Sequence, residues 1–371
     1  MSPSEIKKTG SAEVYMQRCL QLADLGTGYT APNPLVGAVL VHEGRIIGEG
    51  YHARYGGPHA EVNCVQSVGI MDRRLIPAST LYVSLEPCCH FGKTPPCTDL
   101  IIREKIPRVV IGCRDPFSKV NGKGIEILLA HGVIVEYPVL EDLSIEKNRR
   151  FFIFHLQNRP YIILKWAQSA NYKMGGLTDH RIRISNEYSN RLVHKWRTEE
   201  AGILIGTNTA LKDDPELTAR LWPGKNPVRI VLDRELRLPD SLKIFDGNTP
   251  SIILNGKKES RSGDLHFKKI AAENAGIPPI LSALYSSGIL SVIVEGGAGL
   301  LQSFIDYGVW DEMRIITNQE LEIPHGVSSP DFRNAKLLHS DIFGSDTVHY
   351  YRNTSMEESM GVWEYGSMNC N

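Results

Sequence analysis

A histidine and a glutamate stand two apart in "GGPHAEVNCV", residues 56–65, and "LEPCCHFGKTPPC", residues 85–97, carries three cysteines. Hydrolytic removal of an amine from a heterocycle needs a strong nucleophile at neutral pH, and zinc supplies one by lowering the pKa of a bound water to about 7. A catalytic zinc takes three protein ligands and keeps a fourth position open for that water. His59, Cys88 and Cys97 offer one imidazole and two thiolates. Both cysteines follow proline, in "EPC" and "TPPC", which reads as two helix starts, where thiolate is favoured. Protons must also move from the water to the leaving amine. Glu61 lies close enough in sequence to His59 to face the same water without binding metal. Zinc deaminases combine H-x-E with P-C-x-x-C. Here eight residues separate Cys88 from Cys97, and Cys89 is a rival ligand for either. A lone H-x-E is most often a solvated helix face, and a lone cysteine pair is most often packing or structural zinc. Their combination after a strand favours catalysis.

These residues need a scaffold, and the surrounding pattern predicts one. Residues 11–26 space apolar side chains at helical intervals and stop at Gly26. "LVGAVLVHEGRIIGEGYH" predicts two strands about a turn at Glu43-Gly44. A helix carrying "HAEVNCVQSV" follows, then the strand "STLYVSLEP", the helix "CTDLIIREK", the strand "RVVIGC", the helix "GIEILLAHG" and the strand "VIVEYPV". That alternation predicts a three-layer α/β domain. "EDLSIEKNRRFFIFHLQNRP" predicts one helix acting as the connector. Alternation then resumes with the strands "YIILKWA", "AGILIG", "VRIVLD", "SIIL" and "SVIVEGG", and the helices "SNEYSNRLVHKWRTEE" and "AGLLQSFIDYG". The expected domains are residues 1–157 and 158–371, since 371 residues exceed one ordinary core.

The totals exclude other classes. A formal net charge of −1 offers no global field for nucleic acid or an anionic membrane. No apolar run approaches the roughly 20 residues of a membrane span. The opening residues lack the apolar core of a signal peptide, so the expected location is the cytoplasm. Seven cysteines, six of them in the first 113 residues of a long chain, favour metal or free thiols over a disulfide framework.

"NPLVGAV", "GEGYH", "PHAEVNC", "LEPCCHFGKTPPCTDLI" and "CRDP" resemble the deaminase half of the bifunctional riboflavin-biosynthesis deaminase/reductase. The resemblance implies a cytidine-deaminase-like three-layer α/β/α domain followed by a dihydrofolate-reductase-like α/β domain. His59, Cys88 and Cys97 would then hold zinc, and Glu61 would shuttle protons. Asn33 would contact the pyrimidine, and His52, His90 and Lys93 would meet the phosphoribosyl end of the substrate, which needs cationic donors. The family usually has serine at Cys89 and continues "DPNP" where this chain reads "DPFSK", Asp115 to Lys119.

The second half resembles the reductase of the same family in "ILKWAQS", "ISNEYS", "AGILIGTNTALKDDPELTAR", "NPVRIVLD" and "SVIVEGGAGLLQSFID". Gly296 and Gly297 allow a phosphate to approach backbone N–H groups at a helix start. The resemblance implies NADPH as hydride donor and a small pyrimidine phosphoribosyl substrate, in a homodimer or homotetramer. Lys165, Asp213 and Glu295 would surround the sugar, with Asp213 also at the cofactor. Arg197, Leu217 and Arg220 would hold the substrate, and Ala167, Thr209 and Gly297 would touch NADPH. Departures cluster here. Asn171 and Tyr172 replace an Asp-Gly pair, Arg183 replaces tryptophan, and Arg181 stands where serine is common. Tyrosine in place of glycine can block a positive φ or crowd a cofactor. Two readings stay open: a working reductase, or a deaminase with a degenerate reductase-like domain.

Overall fold

The computed structural model describes residues 3–92, 94–177, 182–271 and 276–355. Its contacts divide the chain into two units, Met1–Asn158 and Arg159–Asn371. In chain order the first unit contains α1 (Pro3–Asp24), β1 (Gly37–His42), β2 (Arg45–Tyr51), α2 (Ala60–Gln66), β3 (Thr80–Leu85), α3 (Cys97–Arg103), β4 (Arg108–Cys113), α4 (Lys123–Ala130), β5 (Ile134–Glu136), α5 (Glu141–Lys147) and α6 (Arg149–Gln157). Its sheet runs β2-β1-β3-β4-β5, antiparallel on either side of β1 and parallel from β3 to β5.

Alternation along the strands builds three layers. Ala38, Leu40, Leu81, Val83, Val109 and Ile111 face one way, onto Ala60, Cys64, Ile101, Ile125 and Leu128 of α2, α3 and α4. Val39, Val41, Tyr82 and Val110 face the other way, onto Met16, Cys19 and Leu22 of α1. The predicted single connector helix is two. It breaks at Asn148, whose side chain accepts from the Leu35 N–H at 2.8 Å and donates to the Leu35 carbonyl at 2.9 Å. Nor is it a linker: Phe151 and Phe152 are buried against Leu85 and Cys113 of the first unit.

The second unit contains β6 (Tyr161–Ser169), β7 (Lys173–Gly176), α7 (Glu187–Glu199), β8 (Gly202–Gly206), α8 (Thr207–Asp213), β9 (Val228–Leu232), β10 (Ser251–Asn255), β11 (Ser260–Ser262), β12 (Leu265–Lys269), α9 (Pro278–Ser286), β13 (Ser291–Gly296), α10 (Ala298–Tyr307), β14 (Glu312–Asn318), β15 (Gly326–Ser328), β16 (Ala335–Phe343) and β17 (Asp346–Asn353). Ten strands form one sheet in the order β11-β12-β10-β9-β8-β13-β6-β14-β17-β16, and β7 pairs with β15 apart from it. The run from β12 to β14 is parallel, with antiparallel strands at both edges. Leu204 and Ile230 enter the core on one face, while Ile203, Ile205 and Val231 enter the core on the other. Burial on both faces is what parallel strands require.

The strand order sets the site. From β8 the chain continues outward through β9, β10 and β12, then returns to insert β13 between β8 and β6. Adjacent strands whose connections diverge leave a crevice at their carboxyl ends, where α/β sheets bind ligands.

Candidate active sites

Helix α2 lies close on β2 because two glycines give it room. A Cβ on Gly50 would fall 2.2 Å from the Cys64 nitrogen, and one on Gly48 would fall 2.6 Å from the Cys64 oxygen. This seat places His59 at the N-cap of α2 and Glu61 in its first turn. Cys97 is the first residue of α3. Cys88 departs from the expected helix start: it lies in the irregular segment after β3. Its thiolate is favoured by hydrogen bonds instead. The bond from Cys97 draws the Cys88 thiol down to about 4, against burial and with help from His59. The Cys97 backbone N–H also donates to Cys88 Sγ, at 3.4 Å.

His59, Cys88 and Cys97 are the group with metal-ligand spacing among the described residues, their donor atoms all within 4.8 Å of one another. His59 Nδ1 stands 3.4 Å from both Cys88 Sγ and Cys97 Sγ. Tetrahedral zinc, with Zn–S of about 2.3 Å and Zn–N of about 2.0 Å, requires an S···N separation of about 3.5 Å. The donor set therefore fits zinc. Cys89 is not part of it and donates to the Lys119 carbonyl at 3.7 Å. Glu61 is buried, which pushes its carboxyl up from the ordinary value.

His59, Glu61 and Cys88 line a cavity of about 380 Å³ that is also lined by Asn33, His52 and His90. That volume suits one small molecule. Lys93 lies outside the described residues. The expectation that His52 brings positive charge to a phosphate does not hold. Its Nδ1 pairs with the Pro58 carbonyl at 3.0 Å and its Nε2 with Asn33 Nδ2 at 3.1 Å, and burial lowers its pKa. A neutral imidazole that donates to Pro58 and accepts from Asn33 fixes the Asn33 amide. Asn148 holds the same segment through Leu35. His90 Nδ1 is buried without a hydrogen-bond partner.

Several lining residues escaped the sequence reading: Asp115, Phe117, Phe151, Phe154 and His155. Burial pushes the Asp115 carboxyl up to about 7. The loop carrying Asp115 and Phe117 is anchored by Glu86, in the "LEPCC" stretch. Its carboxylate accepts from the backbone N–H groups of Gly122 and Gly124 at 2.9 Å, Asp115 at 3.2 Å and Ile125 at 3.3 Å. Glu86→Ala strands those donors, so the first unit should lose about 3 kcal/mol. Thermal unfolding of the zinc-loaded protein checks this, with Glu86→Gln expected to fall between the two.

In the second unit a crevice of about 1520 Å³ opens at the carboxyl ends of β6, β8, β9 and β13, lined by Lys165, Ala167, Arg197, Thr209, Asp213, Arg220, Glu295 and Gly297 among others. It is large enough for two ligands side by side. Gly296 has φ +121°, and a Cβ on Gly297 would sit 3.3 Å from Thr209 Oγ1. Both positions therefore favour glycine, and α10 starts directly after them. Glu295 is the electrostatic centre. Arg197 donates to both its oxygens, at 3.0 and 2.7 Å, and Lys165 Nζ lies 3.8 Å away. Burial opposes the charge, but Arg197 and Lys165 hold the carboxyl down at about 2.

Arg197 lines the crevice, and its Nη1 also donates to the Thr218 carbonyl at 3.1 Å, so protein groups fix the pose of its guanidinium. Leu217, at φ +57°, buries its side chain in the core and does not line the crevice. Arg220 does line it and pairs with Glu216 at 3.3 Å.

The departures fall in different places. Tyr172 adopts φ +60° but is 65% exposed and lines no part of the crevice. Asn171 clamps the backbone of Ile323, accepting from its N–H at 3.1 Å and donating to its carbonyl at 3.0 Å. Arg183 lines the crevice, and Arg181 lies outside the described residues.

Residues 9–113 match the cytidine and deoxycytidylate deaminase zinc-binding region, and residues 160–318 match the RibD C-terminal domain. The riboflavin biosynthesis protein RibD of Aquifex aeolicus is 42% identical over 304 residues, covering 81% of this chain and 84% of that protein. RibD of Actinobacillus pleuropneumoniae is 32% identical over 369 residues, covering 94% and 97%. The crystal structure of a diaminohydroxyphosphoribosylaminopyrimidine deaminase/5-amino-6-(5-phosphoribosylamino)uracil reductase from Thermotoga maritima matches with a TM-score of 0.83 at 33% identity, covering 93% of this chain and 99% of that one. With a zinc-ready deaminase unit, a crevice-bearing reductase unit and relatives matched nearly end to end, the chain belongs to the RibD family.

Proposed function

We infer that the chain catalyses two consecutive steps of riboflavin synthesis. The first unit deaminates 2,5-diamino-6-(5-phosphoribosylamino)pyrimidin-4(3H)-one. The second reduces the ribosyl side chain to give 5-amino-6-(5-phosphoribitylamino)uracil. The observation that carries this reading is the His59, Cys88 and Cys97 cluster with buried Glu61, on one chain with the RibD reductase domain.

Bound by His59, Cys88 and Cys97, zinc supplies a water acidic enough to ionise near neutral pH. Glu61 takes that proton on its carboxylate and returns it to the leaving amine. Its buried site raises its affinity for the proton it carries. Asn33, fixed by His52, presents its amide to the pyrimidine. His90 and Lys93 attend the phosphoribosyl end.

NADPH, when bound, supplies the hydride for the second step. Gly297, Thr209, Ala167 and Asp213, which line the crevice, would hold the cofactor. Lys165 would offer a proton from Nζ beside the sugar, with the Glu295 carboxylate 3.8 Å from that nitrogen. Arg220 takes the 5′-phosphate, together with Arg183, the cation this chain has in place of the usual tryptophan.

The deaminase-only alternative loses ground because Tyr172 is exposed and is not among the residues that line the crevice, and Asn171 serves the backbone. NADPH oxidation at 340 nm, with the deaminated intermediate supplied directly, tests the reductase. Steady turnover is expected. Ammonia release from the diamino substrate without any NADPH oxidation would leave a deaminase with a silent second unit. Among the described residues no helix is long and apolar enough to cross a membrane. A cytoplasmic homodimer or homotetramer completes the proposal, and sedimentation velocity distinguishes the two.

A further inference from the structure

The two family matches leave residues 114–159 assigned to neither. Yet this segment builds one wall of the deaminase cavity. Phe117 comes from the loop after β4, and Phe151, Phe154 and His155 come from α6. The same cavity is lined by Asn33, His59, Glu61 and Cys88. A zinc region shared with cytidine deaminases supplies the chemistry, so selection of a different pyrimidine has to come from elsewhere in the cavity.

His155 is the polar group of this wall. Its ring packs against Phe151 at 4.4 Å, Phe117 at 4.9 Å and Phe154 at 5.4 Å between centroids. Three phenyl rings fix its orientation, and no hydrogen bond to protein competes for its nitrogens among the described residues. It is half-buried, so the imidazole is neutral and offers one donor and one acceptor. His90 continues the wall, 5.9 Å from Phe117, and its buried Nδ1 also lacks a partner. Two imidazoles without protein partners in an apolar wall match the composition of a small-molecule site: mostly apolar surface with a few polar atoms that fix orientation. A buried nitrogen left unpaired in the free protein is explained by a ligand that pairs it.

We propose that His155 is a specificity-determining residue of the deaminase site, hydrogen-bonding the polar edge of the pyrimidine while Phe117 and Phe154 cover the heterocycle. This rests on the deaminase reading above. Helix α6 is then part of the substrate site and not a connector. The ring cage explains how a residue remote in sequence from the zinc motifs presents its imidazole in a fixed pose without a hydrogen-bonded support.

Steady-state ammonia release by His155→Phe and His155→Gln tests the proposal, with zinc content and reductase turnover measured on the same preparations. Phenylalanine keeps the cage filled and removes the nitrogens, so KM for the diamino substrate should rise about tenfold, the worth of one hydrogen bond. Its kcat should stay within about threefold, and zinc and reductase turnover should not change. Glutamine, with a donor and an acceptor, should recover most of the KM. An unchanged KM in His155→Phe overturns the proposal, and so does an equal KM rise in both variants. Should the phenyl ring disturb zinc binding, the ring 15N shifts of His155 in wild-type protein decide. Addition of the deaminated product, 5-amino-6-(5-phosphoribosylamino)uracil, should move them, and still signals at saturation overturn the proposal. Wild-type protein that releases no ammonia would sink the deaminase reading itself, a result separate from any effect of the variants.

Discussion

Glutamine in place of Glu61 should slow ammonia release by about 10²–10⁴-fold, the usual worth of a positioned proton-transfer group. One zinc per chain should remain bound, because the group placed to hold it is His59, Cys88 and Cys97 and the glutamate is not part of it. Stability gives the second half of the test. Burial raises the Glu61 carboxyl in the folded metal-free protein. A carboxyl with a raised folded pKa opposes folding at every pH above its unfolded pKa, since the charged form is then better solvated in the unfolded chain. Neutral glutamine removes that penalty. The metal-free variant should therefore melt no lower than the metal-free parent at pH 7. Lost turnover with retained zinc and undiminished melting is the signature of a group kept for chemistry. A variant that loses zinc and melting temperature together would make Glu61 a structural carboxylate and leave the proton shuttle unassigned. NADPH oxidation on the deaminated intermediate should be untouched and serves as the internal control.

The zinc centre could be read before the fold was known because its chemistry demands rare residue types. One histidine, one glutamate and two cysteines beside prolines identify their own partners. The three-layer fold was equally legible, since strands such as "GAVLVH" alternate cleanly between the layers that cover them. Other features left no local mark. Helix α6 presents an apolar pattern that fits a connector as well as a pocket wall, and only the tertiary contact of Phe151 with Leu85 and Cys113 separates the two. The role of His52 depends on Pro58 and Asn33 closing on both its nitrogens. In the second unit β14 was missed because Arg314 interrupts its apolar run. The fold buries that arginine over the ring of Trp196, 4.9 Å away, beside Glu312 at 2.6 Å. Strand β16 was missed because it lies at the sheet edge with most of its side chains exposed, so no buried face imposes alternation. Arg197 shows the same limit at the site: its residue type suggests the substrate's phosphate, and only the fold shows that both its Nε and Nη2 also donate to the buried Glu295 carboxylate.

That carboxylate leads to the largest effect expected in the second unit. Glu295→Gln should lower reduction by about 10²-fold or more and destabilise the unit by about 3–5 kcal/mol, the range for removing one partner from a buried ion pair. Glu295 is shared by Arg197 and Lys165, which are themselves only 12% exposed. Without its charge, the two cations beside it lose the carboxylate they share. On the proposed reading, the Lys165 ammonium then lacks the carboxylate 3.8 Å away that positions it beside the sugar. His194 signals how positive this region already is: burial, then the charges of Arg197 and Arg220, hold its pKa near 4. The pH dependence of the wild-type unit follows from the same group. The folded Glu295 titrates at about 2, below the ordinary glutamate value of about 4.3. Its contribution to stability is therefore complete above the unfolded pKa and is lost as pH falls from there through about 2. In the glutamine variant that acid-dependent loss should be missing, so parent and variant should converge in stability as the pH drops. Urea unfolding of the second unit at pH 7 and pH 3, with reductase turnover at pH 7, reads all three effects. A variant that reduces the intermediate at the parental rate would show that the buried triad is scaffolding, and the proton at Lys165 Nζ would have no part in the reaction.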